Sequence, residues 1–376
     1  MRMVSKLTVQ LGDICKPQQW ATIGSSELTE SGFRVHGANC FIGYYSEANH
    51  TSDVVAVSCR GENTGNVIYI PGPSYVTGNA MCLDDLDESK ADARWLCEFL
   101  KLRGLRDIIS GSAQPQIIQK DLARVKIALP PLAEQRKIAE ILRTWDEAIE
   151  TAEAELKAKQ QRKRWLMDKL LVGNWPKRTI EELFELEGSG IDKVILPDEQ
   201  VVPLVNYMDA YRKRVLKHTD VQAETSVSPN DLMRCQLKRG DIVLTPSSET
   251  PDDIAHSALI NFEPGNAVHS YHLFRLRARS DDEIVHDFRA FFLNHISVRR
   301  QFIRICSGTT RFTLTLPSVR AIKVSLPPIK HQQYAAEVLN DATAQEELAS
   351  QRAESLCTQK RGLMQKLLTG EVRVAA

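Results

Sequence analysis

The sequence predicts a mixed α/β (α+β) chain with a pseudo-twofold internal repeat. Two small domains are each followed by a long helix, and the two helices pair as an antiparallel coiled coil. Three observations predict it. The stretch LPPLAEQRKIAEIL, beginning at Leu129, returns at Leu326 as LPPIKHQQYAAEVL. Each copy opens a long helical pattern without interior proline. The blocks ahead of the copies are β-rich with polar loops, and they differ in length.

The repeat is wider than those two stretches. Residues 110–173 align without a gap onto residues 307–370. Ser110-Gly111 meets Ser307-Gly308, Gln135 meets Gln332, and KRWLMDKLLVG (163–173) meets KRGLMQKLLTG (360–370). Further upstream the match weakens, with LGDIC (11–15) facing IEELF (180–184). The chain therefore reads as variable block 1–128, constant helix 129–174, variable block 175–325 and constant helix 326–376.

Each constant block begins with Pro-Pro, which ends a strand and sets a helix entry at Pro131 and Pro328. Gly173 and Gly370 stand where a helix C-terminal glycine belongs. Between them a seam repeats in alternating steps of four and three, the spacing of a coiled coil. In the first copy it runs through Ile138, Leu142, Trp145, Ile149, Ala152 and Leu156, then Lys159, Lys163, Leu166 and Leu170. In the second it is poorer: Ala335, Leu339, Ala342, Glu346, Ala349, Ala353, Leu356, Lys360, Leu363 and Leu367. Large residues facing alanines permit close packing. From Gln135 to Leu171 such a helix extends about 55 Å at 1.5 Å per residue. A helix of that length with a one-sided stripe needs a partner, and the other copy supplies it. Fusion of two copies in one chain favours a half-turn relation and an antiparallel pair.

The variable blocks read as small mixed domains. DVVAVSC (53–59) and NVIYIPG (66–72) form a hairpin around the polar tip RGENTG, and ADARWLCEFLKLRGL (91–105) a helix. In the second block GDIVLTPSS (240–248) is a strand entering a polar loop. HSYHLFRLRA (269–278) alternates as one strand, and residues 286–305 form one amphipathic helix.

Each block closes on Ser-Gly and a polar tip, SGSAQPQ (110–116) or SGTTRFT (307–313). The tips hold the same repeat position and differ in chemistry, as two related readers of different targets would. Gln pairs bidentately with adenine and Arg with guanine. Candidate DNA contacts are Arg60, Asn63 and Thr64 at the hairpin tip, and Ser110, Ser112 and Gln114 in the first closing tip. In the second block they are Arg212 and Lys213, Ser247 and Ser248, and Thr309, Thr310 and Arg311. Basic residues cluster at YRKRVLKH (211–218), FRLRAR (274–279) and VRRQFIR (298–304).

Composition and absences narrow the function. Of 376 residues 43% are hydrophobic and 26% charged, which indicates a soluble globular chain. The formal net charge is zero, so any DNA binding needs clustered basic residues or help from partner chains. The N-terminus carries no signal-like apolar core and no run is long enough for a membrane span. Eight cysteines without a C-x-x-C pair read as reduced thiols in a cytoplasm. No phosphate-binding loop, dinucleotide fingerprint, methyltransferase motif or nuclease centre is found, and no metal site is expected. The HSYH pair lacks a third ligand. A non-catalytic role follows. The rival reading is a coiled-coil scaffold that binds no bases specifically.

Two copies of LPPLxEQxxIAxxL…LxxLLxG, each behind a variable domain ending in Ser-Gly, resemble the specificity subunit of a Type I restriction–modification system. The first copy matches closely. The second departs at Lys330-His331, where the first has Ala133-Glu134. The resemblance implies two target-recognition domains, each reading half of a bipartite, asymmetric site in double-stranded DNA. A helical spacer of that length corresponds to about 16 base pairs, centre to centre. It also implies docking of two methyltransferase subunits, which bring S-adenosylmethionine and adenine-N6 chemistry, and of a restriction–translocase subunit, which brings ATP and Mg. By the same resemblance, docking falls to Leu129, Pro130, Pro131, Gln135, Leu170 and Leu171, and to Leu326, Pro327, Pro328, Gln332, Leu367 and Leu368. The chain itself would carry no cofactor.

Overall fold

The computed structural model describes residues 7–38, 40–111 and 114–374. The chain packs as two compact units: residues 1–154 with 351–376, and residues 155–350. We call them unit 1 and unit 2. Both long helices cross the division, Leu132–Leu170 and Ile329–Thr369.

In unit 1 an antiparallel sheet has the order Lys16–Gln19, Ala80–Asp84, Val54–Ser58, Val67–Ile70. The strand VVAVS is buried along its whole length because both its faces are covered. Val55 and Val57 pack with Trp95, Leu96 and Leu100 of the helix Ala93–Arg103. Val54 and Ala56 face Val76 and Cys82. Val76 lies in a second sheet, ordered Phe41–Tyr45, Phe33–His36, Ser74–Val76. Asp92 caps the helix by accepting from the Trp95 amide.

Unit 2 repeats this plan at larger size. Five strands run in the order Phe184–Gly188, Phe274–Ala278, Ile242–Leu244, Ser257–Ile260, Val215–Leu216, beside a three-stranded sheet. Ile242 and Leu244 enter one core with Phe184 and Phe288, while Val243 between them enters another with Ile260. The strand leading into each long helix pairs antiparallel with the strand that opens its block. These pairs are Leu7–Gln10 with Lys126–Leu129, and Lys177–Thr179 with Lys323–Ser325. The duplication therefore extends into the variable blocks.

Two expected elements are broken. HSYHLFRLRA is two strands in different sheets, Val268–His269 and Phe274–Ala278, joined by a turn in which the Leu273 amide donates to Ser270 O. Residues 286–305 form two 3-10 turns before the helix Ile296–Ile305. The His295 side chain caps that helix by accepting from the Ser297 amide, so it cannot begin earlier. Gly370 ends its helix with φ of 78°, as expected of a glycine cap. Gly173 does not adopt that conformation; instead a Cβ there would meet the Trp175 ring at 2.6 Å.

The head of each long helix is tied to its own block by a buried glutamine. Gln135 Nε2 donates to Lys90 O and Pro130 O, both at 2.9 Å, and Gln135 Oε1 accepts from the Asp92 amide at 2.9 Å. Gln332 repeats the pattern, donating to Glu283 O at 3.0 Å and Pro327 O at 2.9 Å, and accepting from the Val285 amide at 2.9 Å.

Within each unit the two helices run antiparallel: contacts pass from Asp146–Lys360 to Glu134–Arg373 in unit 1, and from Lys163–Glu346 to Leu170–His331 in unit 2. In unit 1 Lys360 Nζ lies 2.5 Å from Asp146 Oδ1 and 3.6 Å from Glu98 Oε2. In unit 2 Lys163 Nζ lies 2.5 Å from Glu346 Oε2, and Lys159 Nζ donates to Gln345 Oε1 at 3.0 Å. The charged interruptions of the seam thus meet each other, a nearby carboxylate or, for Lys159, an amide oxygen. Ile138, Leu142 and Leu339 are buried; Trp145, Ile149, Leu156, Leu356 and Leu363 are half-buried.

Most of the expected docking residues are interior. Leu367 and Leu368 enter the unit 1 core beside Trp95 and Leu100. Leu171 enters the unit 2 core beside Phe184, with Leu170 and Leu326 packed against it. Leu129, Pro130, Pro327, Gln135 and Gln332 are buried as well. The reason is the short Leu-Leu-x-Gly tail, whose apolar side chains complete a domain core rather than a partner surface. Only Pro131 and Pro328 of that set are exposed. The departure at His331 is also accounted for. Glu134 is gripped bidentately by Arg373, which follows the second helix, at 2.6 Å for both contacts. His331 Nε2 instead donates to Leu170 O, at the end of the first helix, at 2.9 Å. Different chemistry fastens head to tail in each unit.

Replacing Gln332 by leucine strands two carbonyls and an amide. The expected loss is about 1–3 kcal/mol for each group left unpaired, measured by chemical denaturation, with hydrogen exchange rising at Val285. His269 gives a pH prediction. Its ring is buried, and burial pushes it down to about 4, from about 6.5 in an unfolded chain. Between those values the unfolded state binds a proton that the folded state refuses. Stability should therefore fall as pH drops from about 6.5 to 4, and His269→Gln should flatten that part of a Tm-against-pH curve.

Candidate nucleic-acid interface

Both closing tips fold in the same way. Ser110 and Gln116 exchange two backbone hydrogen bonds of 2.9 Å; Ser307 and Thr313 exchange bonds of 3.1 and 2.9 Å. Gly111 and Gly308 take φ of +87° and +141°, and a Cβ would lie 2.5 Å from Gln114 O and 2.0 Å from Arg311 O. The repeated Ser-Gly is a steric requirement of the turn. Among the described residues of the tips, Gln114, Thr309, Thr310 and Arg311 are exposed.

In unit 1 the tip lies against the RGENTG hairpin. Arg60 bridges Gln116, the Ile117 amide donates to Cys59 O at 3.0 Å, and Thr64 Oγ1 donates to Pro115 O at 3.0 Å. Arg60, Gly61, Glu62, Gln114, Pro115 and Gln116 line a cleft of about 480 Å³. Arg60, Asn63, Ser110 and Gln114, far apart in sequence, therefore share one exposed region with the half-buried Thr64. Ser112 lies outside the described residues.

In unit 2 the strand Phe312–Thr313 of the tip pairs with Ser247–Ser248. Those two serines are not exposed readers: they are only 8% and 5% accessible. Ser248 Oγ donates to Thr250 O, and Ser247 Oγ accepts from Arg311 Nη2 at 3.3 Å. They hold the loop and steady Arg311. Lys213 is also compromised as a contact, because its ammonium is paired with Asp220. Arg212 remains exposed, on the short helix Tyr207–Arg212.

Several other basic residues are already engaged. Arg275 is buried against Glu187 at 2.6 Å, Arg277 pairs with Asp241 at 2.7 Å, and Arg103 pairs with Asp107 at 2.7 Å. Arg94 lies over the Tyr69 ring, 4.1 Å from its centroid. The run FRLRAR is therefore not a basic surface. Its arginines alternate along a strand whose neighbours supply carboxylates.

Sequence reasoning missed an aromatic group beside the second tip. Tyr207 OH donates to Ser247 O at 3.1 Å, and its ring stacks on Tyr211, 5.8 Å between centroids. Tyr211 contacts the His256 ring at 4.5 Å, and Asp253 bonds both. Tyr271, 51% exposed, lies on His272 at 3.8 Å. Burial, then the Arg311 and Lys193 charges, hold the His272 ring below its usual range. The available signal was Tyr207 and Tyr211 spaced i, i+4 in a polar stretch.

The family model for the Type I restriction modification DNA specificity domain matches residues 4–159 and 173–357, once for each half of the repeat. The chain belongs to the Type I restriction–modification specificity family. As a specificity subunit it is the non-catalytic member of such a system. It is 24% identical over 339 residues to the MjaVIII specificity subunit of Methanocaldococcus jannaschii, covering 84% of this chain and 78% of that one. The crystal structure of an S subunit from M. genitalium superposes with a TM-score of 0.65 at 14% identity, covering 98% and 97% of the two chains. A chain from a study of complex assembly and conformational transition of the type I R-M system gives 0.58 at 12% identity, covering 98% and 99%. These likenesses establish the fold of the specificity subunit. Among its described residues no helix is long and apolar enough to cross a membrane.

Arg311→Ala should weaken binding of the assembled complex to its own site by about 1–3 kcal/mol and relax selectivity at one position. Competition binding against single-base variants checks this. An equal loss on every sequence would instead mark a phosphate contact.

Proposed function

We propose that each unit reads one half of a bipartite, asymmetric site in double-stranded DNA, through its closing tip and the loop packed beside it. The observation that carries this reading is one scaffold bearing two chemistries. The same glycine-dependent turn recurs at the same repeat position, with Gln114 exposed in one unit and Arg311 in the other. Gln suits adenine and Arg suits guanine in the major groove. The zero formal charge favours a phosphate clamp shared with partner chains.

The two helices set the unread distance between the half-sites and carry two methyltransferase subunits. Pro131 and Pro328 at the helix heads stay exposed for such docking, as do Trp165, Tyr334 and Leu348 along them. S-adenosylmethionine belongs to the methyltransferase subunits. ATP and Mg belong to a restriction–translocase subunit that joins them.

The test is a block exchange. Residues 1–128 are replaced by the corresponding block of another specificity subunit, in a host carrying the partner genes, and the methylated sites are mapped. One half-site should change while the other half and the gap persist. An unchanged methylation motif would refute the division of labour.

A further inference from the structure

Unit 1 holds a convergence of ligand chemistry that base reading does not use. His50, Cys82 and Asp84 each offer a ligand atom, and all of these atoms lie within 4.8 Å of one another. Cys82 and Asp84 alternate on the strand Ala80–Asp84, so they share a face. His50 arrives from the loop that bridges Ser74 of the other sheet. No sequence spacing announces the group, because two separate segments meet only in the fold.

Donor accounting makes the group unusual. The Asn49 side chain is fixed by one backbone residue: its Nδ2 donates to Val76 O at 2.9 Å, and its Oδ1 accepts from the Val76 amide at 2.8 Å. That assigns Oδ1, which lies 2.7 Å from His50 Nδ1, so Nδ1 carries the proton. In the neutral ring Nε2 is then an acceptor, yet it lies 2.9 Å from Asp84 Oδ1, which is an acceptor too. Asp84 Oδ2 is occupied by the Trp20 indole, which donates at 2.9 Å. Two acceptors at that distance require a cation between them, either a proton or a metal ion.

The buried Cys82 favours the metal. Its sulfur lies within 4.8 Å of the ligand atoms of both His50 and Asp84. A proton shared by His50 and Asp84 leaves that sulfur as apolar packing alone. A divalent ion gives it a further role, since it deprotonates a coordinating thiol outright. One imidazole, one thiolate and one carboxylate suit zinc, with water in the fourth position. Bonds of about 2.0–2.3 Å in tetrahedral geometry set ligand atoms roughly 3.3–3.8 Å apart. That spacing falls between the observed His50–Asp84 separation of 2.9 Å and the 4.8 Å limit of the group. The Asn49 contact is the orienting hydrogen bond that ligating histidines normally make through their other nitrogen.

We propose that His50, Cys82 and Asp84 bind a zinc-class divalent cation that staples the two sheets of unit 1. The full-length chain is stripped with chelator, titrated with zinc and measured by elemental analysis, then loaded with cobalt for absorption spectroscopy. One equivalent per chain and a thiolate-to-cobalt charge-transfer band are expected, with affinity at least tenfold lower in both Cys82→Ser and His50→Gln. Cys357→Ser, away from the site, should bind as the unaltered chain does. An unaltered chain that retains no stoichiometric zinc, with doubly protonated His50 nitrogens by ¹⁵N NMR, overturns the proposal. Zinc affinity unmoved by Cys82→Ser overturns it as well. Because the cobalt spectrum is read on the unaltered chain, a variant that fails to fold does not remove the test.

Discussion

A buried amide at the start of each long helix holds the rest of the molecule in register. Gln135 and Gln332 are 0% and 1% accessible and spend both polar ends on backbone groups. The partners lie on two sides: the Pro-Pro turn just before the helix, and a chain segment more than forty residues upstream. Few side chains can donate twice and accept once in a buried space, so the position tolerates little else. Because the amide fixes where the helix leaves its block, every contact further along inherits its direction. A leucine would fill the volume, but it would leave peptide groups dry and unpaired.

The seam shows a second use of polarity. Its apolar members alone would allow sliding by a heptad, since alanines offer little distinction between registers. Lys163 with Glu346, and Lys360 with Asp146 and Glu98, remove that freedom. Such part-buried pairs add little net stability. Their value lies in what misalignment would cost, namely a lysine facing an apolar seam without its carboxylate. A single polar residue at a coiled-coil core position fixes register in the same way.

The architecture was legible in the sequence because duplication makes spacing visible. Pro-Pro, the four-three stripe and Ser-Gly each reflect a local steric rule, and each marked the element it belongs to. What escaped was set by tertiary partners. The resemblance put Gln135 among the docking residues, because a shared motif says that a residue matters without saying which way it faces. FRLRAR read as a basic patch because Glu187 and Asp241 lie on other segments. HSYH read as one strand because alternation continues through a turn that only Val205 and Ile191 reveal. The aromatic group around Tyr207 and the His50 convergence left only faint traces, since each is completed by segments distant in the chain.

Unit 2 is one unbroken span of chain, whereas unit 1 is closed by residues 351–376. On the ribosome this inverts the order in which the parts mature. The domain made first waits, with the face around Trp95 and Leu100 uncovered, until Leu367 and Leu368 emerge. By then all of unit 2 has been synthesised. A message truncated late in the second helix therefore yields a chain whose early half is the defective one, marked for chaperones or proteases by exposed apolar surface.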